Sequence, residues 1–435
     1  LKTIILIAFE FPPHNSGGSQ RPYRFARHLR TFGYEPIILT TPSANPDTSL
    51  AAEVQASGLI IRYAPVLPED WRSKLASGYY LNIQDDTYKR WKQGLTCVFR
   101  ETVTQYNPDL VLATVPPFSV AGLAVELAKE ANLLLVLDWR DAWSQWNVTP
   151  YATKWHYLAT LKKERQWLQS ANHHLVTSAQ TQADFLRLHP QVDANHITAI
   201  PNSYEGKRTP FQQLSLGSLK LGYVGSFYYN PYSQFLMDAN WWQKKPHQFL
   251  QFVPRKEKWL YRTPWFLFRT VRYMLDDRPE LTKKIEMHFA GKKEFWFDGM
   301  VKEHGLTDLV HHHGWLTHTE SLDFQQSCDA LLLTSSKVVD GCDYSIAGKT
   351  FEYIKIGKPI LGFVCEGAQR DLLEASGTSV LFDPDNMEQA AKQLGELLDK
   401  GIVLRPNTTF LDKLSAHETT KDLVVVIDKL LTSSL

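Results

Sequence analysis

The sequence predicts an α/β protein of two Rossmann-like domains facing each other across a cleft. Three observations carry this expectation. Short apolar runs alternate with amphipathic stretches, the pattern of parallel βαβ units. The interval 202–218 is polar and strand-free. The pattern then starts afresh at Leu219-Lys-Leu-Gly-Tyr-Val-Gly225-Ser226.

In the first half a strand is expected at 3–9, followed by the loop from Phe11 through Pro12, Pro13, His14, Gly17 and Gly18 to Arg21. A helix at 22–32 and a strand at 35–40 come next. Further strands fall at 110–113, 133–137 and 174–177, with a closing strand at 196–201. Helices are read at 121–131 and 157–170, the second with Leu158, Leu161, Trp167 and Leu168 as its apolar residues. The second half continues with strands at 285–291, 311–315, 330–335, 359–364 and 379–382. This gives domains at 1–205 and 206–412, the second with an insertion at about 228–263. A C-terminal helix within 413–435 is expected to pack back on these domains.

The chain has 435 residues, 43% hydrophobic and 21% charged, enough for each domain to bury a core. Basic and acidic residues nearly cancel, 47 against 46, which argues against an electrostatic grip on nucleic acid. Cys97, Cys328, Cys342 and Cys365 form no CxxC pair, so neither zinc nor a disulfide framework is indicated. The first apolar run, 4–8, is too short for a signal peptide or a membrane span. A cytoplasmic protein is expected, in keeping with these features.

The most informative stretch runs from Asp343 to Leu361. It reads as a loop, a helix opening at Gly348-Lys349, and a buried strand. Unpaired N–H groups and roughly half a positive charge at a helix N-terminus suit phosphates, and Lys349 adds a full charge. Glu352, one turn in, is placed to accept from ribose hydroxyls. A plain αβ unit with solvated Lys349 and Glu352 fits the same residues.

Several segments in order resemble the GT-B glycosyltransferases of family 4. They are Phe11-Pro-Pro…Gly17-Gly18…Arg21; Asn107-Pro108-Asp109 with its strand; Asp138-Trp-Arg-Asp141-Ala-Trp143; Ile200-Pro201-Asn202; Gly222-Tyr-Val-Gly225-Ser226; His288-Phe-Ala-Gly291; His313-Gly314-Trp315; Cys328-Asp329 through Ser335; and Lys349 to Glu352. The resemblance spans nearly the whole chain. It implies transfer of a sugar from a nucleotide diphosphate donor, UDP- or GDP-linked, to an acceptor hydroxyl with retention at the anomeric carbon. The acceptor would be a saccharide or a lipid-linked sugar of a surface polysaccharide or glycolipid.

Under this resemblance Gly17 and Gly18 let backbone N–H groups approach the diphosphate. Gly225, Ser226, Lys292, Ser345, Ile346, Ala347, Gly348 and Lys349 hold it from the second domain. Gly314, Trp315 and Leu316 lie along the base, and Glu352 holds the ribose. Asp141, Lys349 and His14 are the catalytic candidates; Arg21, Trp143 and Trp146 are the acceptor-side candidates. Bland readings stand beside these: a tight turn for Gly17-Gly18, an ion pair with Arg140 or a cap for Asp141, and buried packing for the tryptophans.

The chain departs from the family pattern in two places. Tyr344 stands where the first Glu of the Glu-x7-Glu motif is expected, with Asp343 one residue away. The usual Arg and Lys after the glycine-rich strand are replaced by Gly225-Ser226-Phe-Tyr-Tyr. Lys349 is expected to take over that charge, aided by Lys292 or Arg262. No metal is expected: Asp383-Pro-Asp385 reads as a turn with an N-cap, and 311–313 enters a strand whose alternate residues point to opposite faces.

The insertion combines Trp241, Trp242, Trp259 and Trp265 with eight Lys or Arg and one acid between 241 and 275, which resembles an interfacial segment. Peripheral contact with the inner face of a membrane through 241–265 is one expectation; an acceptor lid or a dimer contact are the others. Two further readings remain for the whole chain. One is a sugar-nucleotide epimerase on the same fold, and the other a degenerate partner or scaffold.

Overall fold

A computed structural model describes residues 1–78, 81, 85–145, 150–214 and 217–433. The described residues form two compact units. The first comprises Leu1–Glu205, Ala239–Arg255 and Leu414–Leu435, the second Gly206–Asp238 and Lys256–Lys413.

The first unit is built on a seven-stranded, all-parallel sheet. Its strands are β1 (Lys2–Ala8), β2 (Tyr34–Thr40), β3 (Ile60–Tyr63), β4 (Leu110–Val115), β5 (Leu134–Trp139), β6 (His173–Val176) and β7 (Ile197–Ala199). They lie in the order β3-β2-β1-β4-β5-β6-β7. The central strands are apolar throughout because helices cover both sheet faces. Ile4, Leu6, Leu110, Leu112 and Val136 are fully buried and join one core. The helix Ala416–Ser433 contributes Leu423 and Ile427 to that core and packs on the helix Gln20–Leu29. Ser178 caps the helix Ala179–Leu188 by accepting from the Thr181 N–H at 3.1 Å.

The second unit continues the strands as β8 (Leu219–Val224), β9 (Glu257–Lys258), β10 (Ile285–Ala290), β11 (Val310–His312), β12 (Ala330–Thr334), β13 (Lys337–Val338), β14 (Ile360–Phe363) and β15 (Ser379–Phe382). Six of them form a parallel sheet in the order β11-β10-β8-β12-β14-β15; β9 and β13 pair antiparallel. In both sheets the order reverses at the first strand, beside β1 and beside β8. Such switch points open a crevice at the strands' C-terminal ends.

Two Rossmann-like domains are therefore present, as expected. The strand β3 and the helices Thr48–Ser57 and Thr87–Tyr106 were not foreseen. β3 is a four-residue edge strand without a fully buried residue, so its apolar signal is weak.

The insertion divides between the units at Ala239 and Lys256. Its aromatic residues divide as well. Trp241 and Trp242 are exposed, whereas Trp259 is buried with its indole N–H on Glu257, and Trp265 packs against the core. Arg255 pairs with Asp184 at 3.1 Å. Within 241–265 the exposed large apolar side chains are those of Trp241, Trp242, Phe249 and Leu250. Among the described residues no helix is long and apolar enough to cross a membrane.

Candidate functional site

At the switch point of the second sheet lies a cavity of about 350 Å³. Strand β8 and the turn after it bring Tyr223 and Ser226 to it, the end of β12 brings Thr334 and Ser335, and the loop into the helix Gly348–Ile356 brings Ser345 through Lys349. Arg262, from the insertion, lines it too.

Lys349 is its central feature. The residue is half-buried and its ammonium turns inward, 3.7 Å from the centroid of the Tyr223 ring. The Tyr223 hydroxyl donates to the Ser226 carbonyl at 3.1 Å, and Phe227 stacks on the ring at 4.1 Å, so the aromatic platform is fixed. Among the described residues the Lys349 ammonium has no hydrogen-bonded or ion-paired partner. Loss of hydration therefore pulls its pKa down to about 7, against a smaller upward pull from Glu352.

Backbone geometry lets this cation approach. Gly225 has φ +120°, and a Cβ there would sit 3.1 Å from Lys349 Nζ. Gly291 has φ +124°, and a Cβ there would meet the Gly225 carbonyl at 2.5 Å. Both positions require glycine. Ala347, at the N-cap of the helix, offers no side-chain cap; the Thr350 N–H donates to the Ala347 carbonyl at 3.0 Å, and the Gly348 and Lys349 N–H groups have no side-chain acceptor among the described residues. The ammonium, the Arg262 guanidinium and a helix N-terminus give this cavity a positive lining that favours an anion.

The departures at Asp343 and Tyr344 acquire a physical reading. Asp343 is buried and accepts from the N–H and hydroxyl of both Ser336 (3.3 and 3.0 Å) and Ser345 (3.0 and 2.7 Å). Its carbonyl accepts from the Ala368 N–H at 2.8 Å, across from Gly367. Asp343 therefore shapes the loop that precedes the helix. Tyr344 is buried. Gln369 was missed by sequence reasoning: its Oε1 accepts from the Ala347 N–H (2.9 Å) and the Thr350 hydroxyl (3.0 Å), tying the same loop down. Tyr223 was missed as well, although its place in Gly222-Tyr-Val-Gly225 was in view.

Of the expected donor residues, Gly225, Ser226, Ser345, Ile346, Ala347, Gly348 and Lys349 come together here. Glu352 is exposed one turn further along the helix and does not line the cavity. Lys292 is exposed and paired with Glu294 at 3.1 Å. Gly314, Trp315 and Leu316 follow β11 and lie outside the lining; Trp315 is 80% exposed. The Gly314 carbonyl accepts from the Gly291 N–H at 2.7 Å, which links that segment to the glycine beside Gly225.

In the first unit the expected residues are mostly committed to structure. Arg21 is buried and forked onto Asp138 (2.9–3.0 Å), and it also donates to the Pro201 carbonyl at 2.8 Å. Its acceptor-side role is replaced by one of joining β5 to the first helix and the end of the domain. Trp143 is buried and stacked on Trp167 at 4.7 Å, so it offers no free face to a sugar. Trp146 lies outside the described residues. Gly18 lies close to two long side chains: a Cβ there would meet Arg140 Nη1 at 2.4 Å and Glu10 Oε2 at 2.7 Å. Gly17 is exposed with open space around it. His14 donates from Nε2 to the Thr41 carbonyl at 3.1 Å. Asp141 is half-buried beside Arg140, whose guanidinium donates to the Val115 and Pro116 carbonyls.

The DxD-like pair is a turn. Asp385 N–H donates to Asp383 at 2.9 Å, and the Asp385 carboxylate is held by Lys337 and Tyr261. The cap of the following helix is Asn386.

Comparison with known proteins agrees with this architecture. Three solved structures are similar over essentially their whole length. Sucrose-phosphate synthase from Thermosynechococcus elongatus has a TM-score of 0.62 at 14% identity, with 100% of both chains covered. The lipopolysaccharide outer core galactosyltransferase WaaB gives 0.58 at 13%, covering 98% of this chain and 99% of the other. Anabaena HepE in complex with UDP gives 0.57 at 10%, covering 99% and 100%. Likeness at these identities speaks for the fold, and the fold is GT-B. The family follows from two models. Residues 16–203 match the glycosyl transferase 4-like domain, and residues 271–407 match glycosyl transferases group 1. The chain is a GT-B glycosyltransferase whose N-terminal domain fits family 4, and nucleotide-sugar-dependent glycosyl transfer is the activity these domains define. No curated protein matches it by sequence.

Proposed function

We propose that this chain is a retaining, metal-independent glycosyltransferase that takes a hexosyl group from a UDP- or GDP-sugar. The observation that supports the reading most is the unpartnered Lys349 ammonium against Tyr223 in the cavity of the second unit. The bond from the anomeric carbon to the diphosphate oxygen breaks, and a bond to the acceptor oxygen forms on the same face. The acceptor proton passes to the departing phosphate, so no protein base is obligatory. As the diphosphate gathers charge, Lys349, Arg262 and the first-turn N–H groups stabilise it more than they stabilise the bound donor. These groups are in place beforehand, fixed by Tyr223, Asp343 and Gln369.

The acceptor side falls to the first unit, with Asp141 and His14 as its candidates. A saccharide or lipid-linked acceptor of surface polysaccharide or glycolipid synthesis fits the exposed Trp241, Trp242 and Leu250 beside Lys244 and Lys245. At about 1 kcal/mol per cation near an anionic surface, this patch would hold the protein reversibly at the inner face of a membrane. Trp241→Ala with Trp242→Ala should abolish co-sedimentation with anionic vesicles. Unchanged co-sedimentation, or none in the unaltered protein, removes the membrane part.

The donor reading is tested by thermal shift with UDP, GDP, ADP and TDP, each with and without EDTA. A ligand at a hundredfold excess over Kd stabilises by about 2.7 kcal/mol. One nucleotide should raise the midpoint by the same increment in either condition, and Lys349→Ala should lose the increment. No increment with any nucleotide overturns the assignment and favours a degenerate partner. Donor breakdown without any acceptor dependence would instead point to an epimerase or hydrolase.

A further inference from the structure

The edge of the second sheet holds a group of side chains that donor binding does not use. In register across β10 and β11, His288 is opposite His311. Residues of β10 alternate: Met287 and Phe289 enter the core, so Glu286 and His288 occupy the other face. The same alternation puts His311 and His313 on one face and His312 on the other, where it meets Phe297 edge-on at 5.2 Å. The tract 311–313 therefore presents two histidines together, and β10 supplies a third, a convergence hidden from the tract itself.

The atoms converge too. Ligand atoms of Glu286, His288 and His311 lie within 4.8 Å of one another. His288 Nε2 is 3.2 Å from Glu286 Oε2, and its Nδ1 is 2.9 Å from His313 Nε2. The two rings His288 and His313 stack at 5.2 Å. His288 is largely buried, while the Glu286 side chain is 62% exposed. Tetrahedral bonds of about 2.0–2.2 Å put ligand atoms about 3.3 Å apart, so the observed spread closes with small side-chain rotations.

We propose that Glu286, His288 and His311 form a binding site for a late first-row divalent cation of the zinc class, with a fourth position open to water. Two imidazoles and a carboxylate suit such an ion better than magnesium or calcium, which prefer oxygen alone. His313 acts as a positioning residue. By accepting the Nδ1 proton of His288 it leaves Nε2 as a lone pair facing Glu286, the arrangement that orients metal-bound histidines. The cation would clamp the three-residue edge strand β11 to β10 and steady the following Gly314, whose carbonyl holds the Gly291 N–H. None of the four residues lines the cavity around Lys349, so the cation makes no direct contact there. For the same reason EDTA would lower the baseline midpoint without changing a nucleotide's increment.

The test uses full-length protein dialysed against EDTA and titrated with Zn²⁺ by calorimetry and with Co²⁺ by visible absorption. One cation should bind per chain, raise the thermal midpoint, and give the intense visible bands of low-coordinate Co²⁺. His311→Gln, on the edge strand, should remove the bands and weaken Zn²⁺ at least a hundredfold. His313→Gln should weaken it about 10- to 100-fold while the bands persist, and the exposed His247→Gln should change nothing. Circular dichroism of each metal-free variant confirms that it is folded. No saturable binding, or saturable binding that survives His311→Gln and Glu286→Gln, overturns the site and leaves His313, His288 and Glu286 as a hydrogen-bonded chain.

Discussion

Arg21 in the first unit is a buried cation and Lys349 in the second a half-buried one, and their surroundings differ in kind. Arg21 is buried against Asp138 through three hydrogen bonds and also has a backbone carbonyl. Lys349 lies against the face of Tyr223 and, among the described residues, has no hydrogen-bonded or ion-paired partner. A satisfied buried cation orders its own fold, whereas a desolvated and unpartnered one is poised for an anion from outside. Both looked like ligand-binding residues in the sequence. What separates them is the carboxylate supplied by Asp138, 117 residues along the chain from Arg21.

The largest effect expected from breaking this contrast is on stability. Arg21→Leu leaves Asp138 buried with the Thr114 hydroxyl as its remaining side-chain hydrogen-bond donor among the described residues, and the unfolding free energy should fall by about 3–5 kcal/mol. Urea denaturation measures it. A loss below 1 kcal/mol in a folded variant would mean that the pair is not the fold's anchor.

Lys349→Ala should do the reverse. Removing a desolvated, unpaired charge should not lower stability, while kcat/KM should fall about 10²–10³-fold, or about 2.7–4 kcal/mol of transition-state stabilisation. Activity within a few-fold of the parent would remove Lys349 from the reaction. Lys349→Arg should restore little, because a planar guanidinium presents its donors in a fixed fork and not as a compact point charge.

This pair also shows what the sequence could and could not reveal. The alternating strands and the restart at Leu219 were legible because buried parallel strands leave continuous apolar runs. The loop-to-helix unit around Lys349 was legible because its residues are contiguous. Arg21, Trp143 and the His288 group were misread or missed for one shared reason. Their roles depend on partners from other strands: Asp138 on β5, Trp167 on a later helix, and His311 across a sheet edge. Residue type and local spacing carry no information about those partners. Glu352 stands apart from these, exposed one turn into the helix and outside the lining of the cavity.

Smaller effects separate close approach from mere flexibility at the glycines around Lys349. Gly225→Ala forces a side chain onto a φ of +120° and toward Nζ, at a cost of about 1–3 kcal/mol in stability, together with weaker nucleotide binding. Gly348→Ala meets nothing within 4 Å. It should leave stability unchanged or slightly higher but still weaken binding if phosphate approaches that backbone. Equal nucleotide affinity in the parent and in Gly348→Ala would place the phosphates elsewhere in the cavity.

The smallest signal is the most specific. Lys349 has a pKa of about 7 in the folded protein against 10.5 when solvated, so between those values the unfolded chain holds more protons than the folded one. Stability from this group therefore rises with pH across that window, and below about pH 7 its burial penalty is fully present. A bound diphosphate restores a partner and lifts the pKa, so binding above pH 7 must take up protons. At pH 8 a phosphate, with its second pKa near about 6, is already ionised and releases none. Calorimetry of nucleotide binding at pH 8, in buffers of different ionisation enthalpy, should show uptake approaching one proton per ligand. Lys349→Ala should reduce it to zero. Uptake that persists in that variant would assign the proton to another group, and affinity that does not decline from pH 7 to 9 would mean the ammonium never faces the diphosphate.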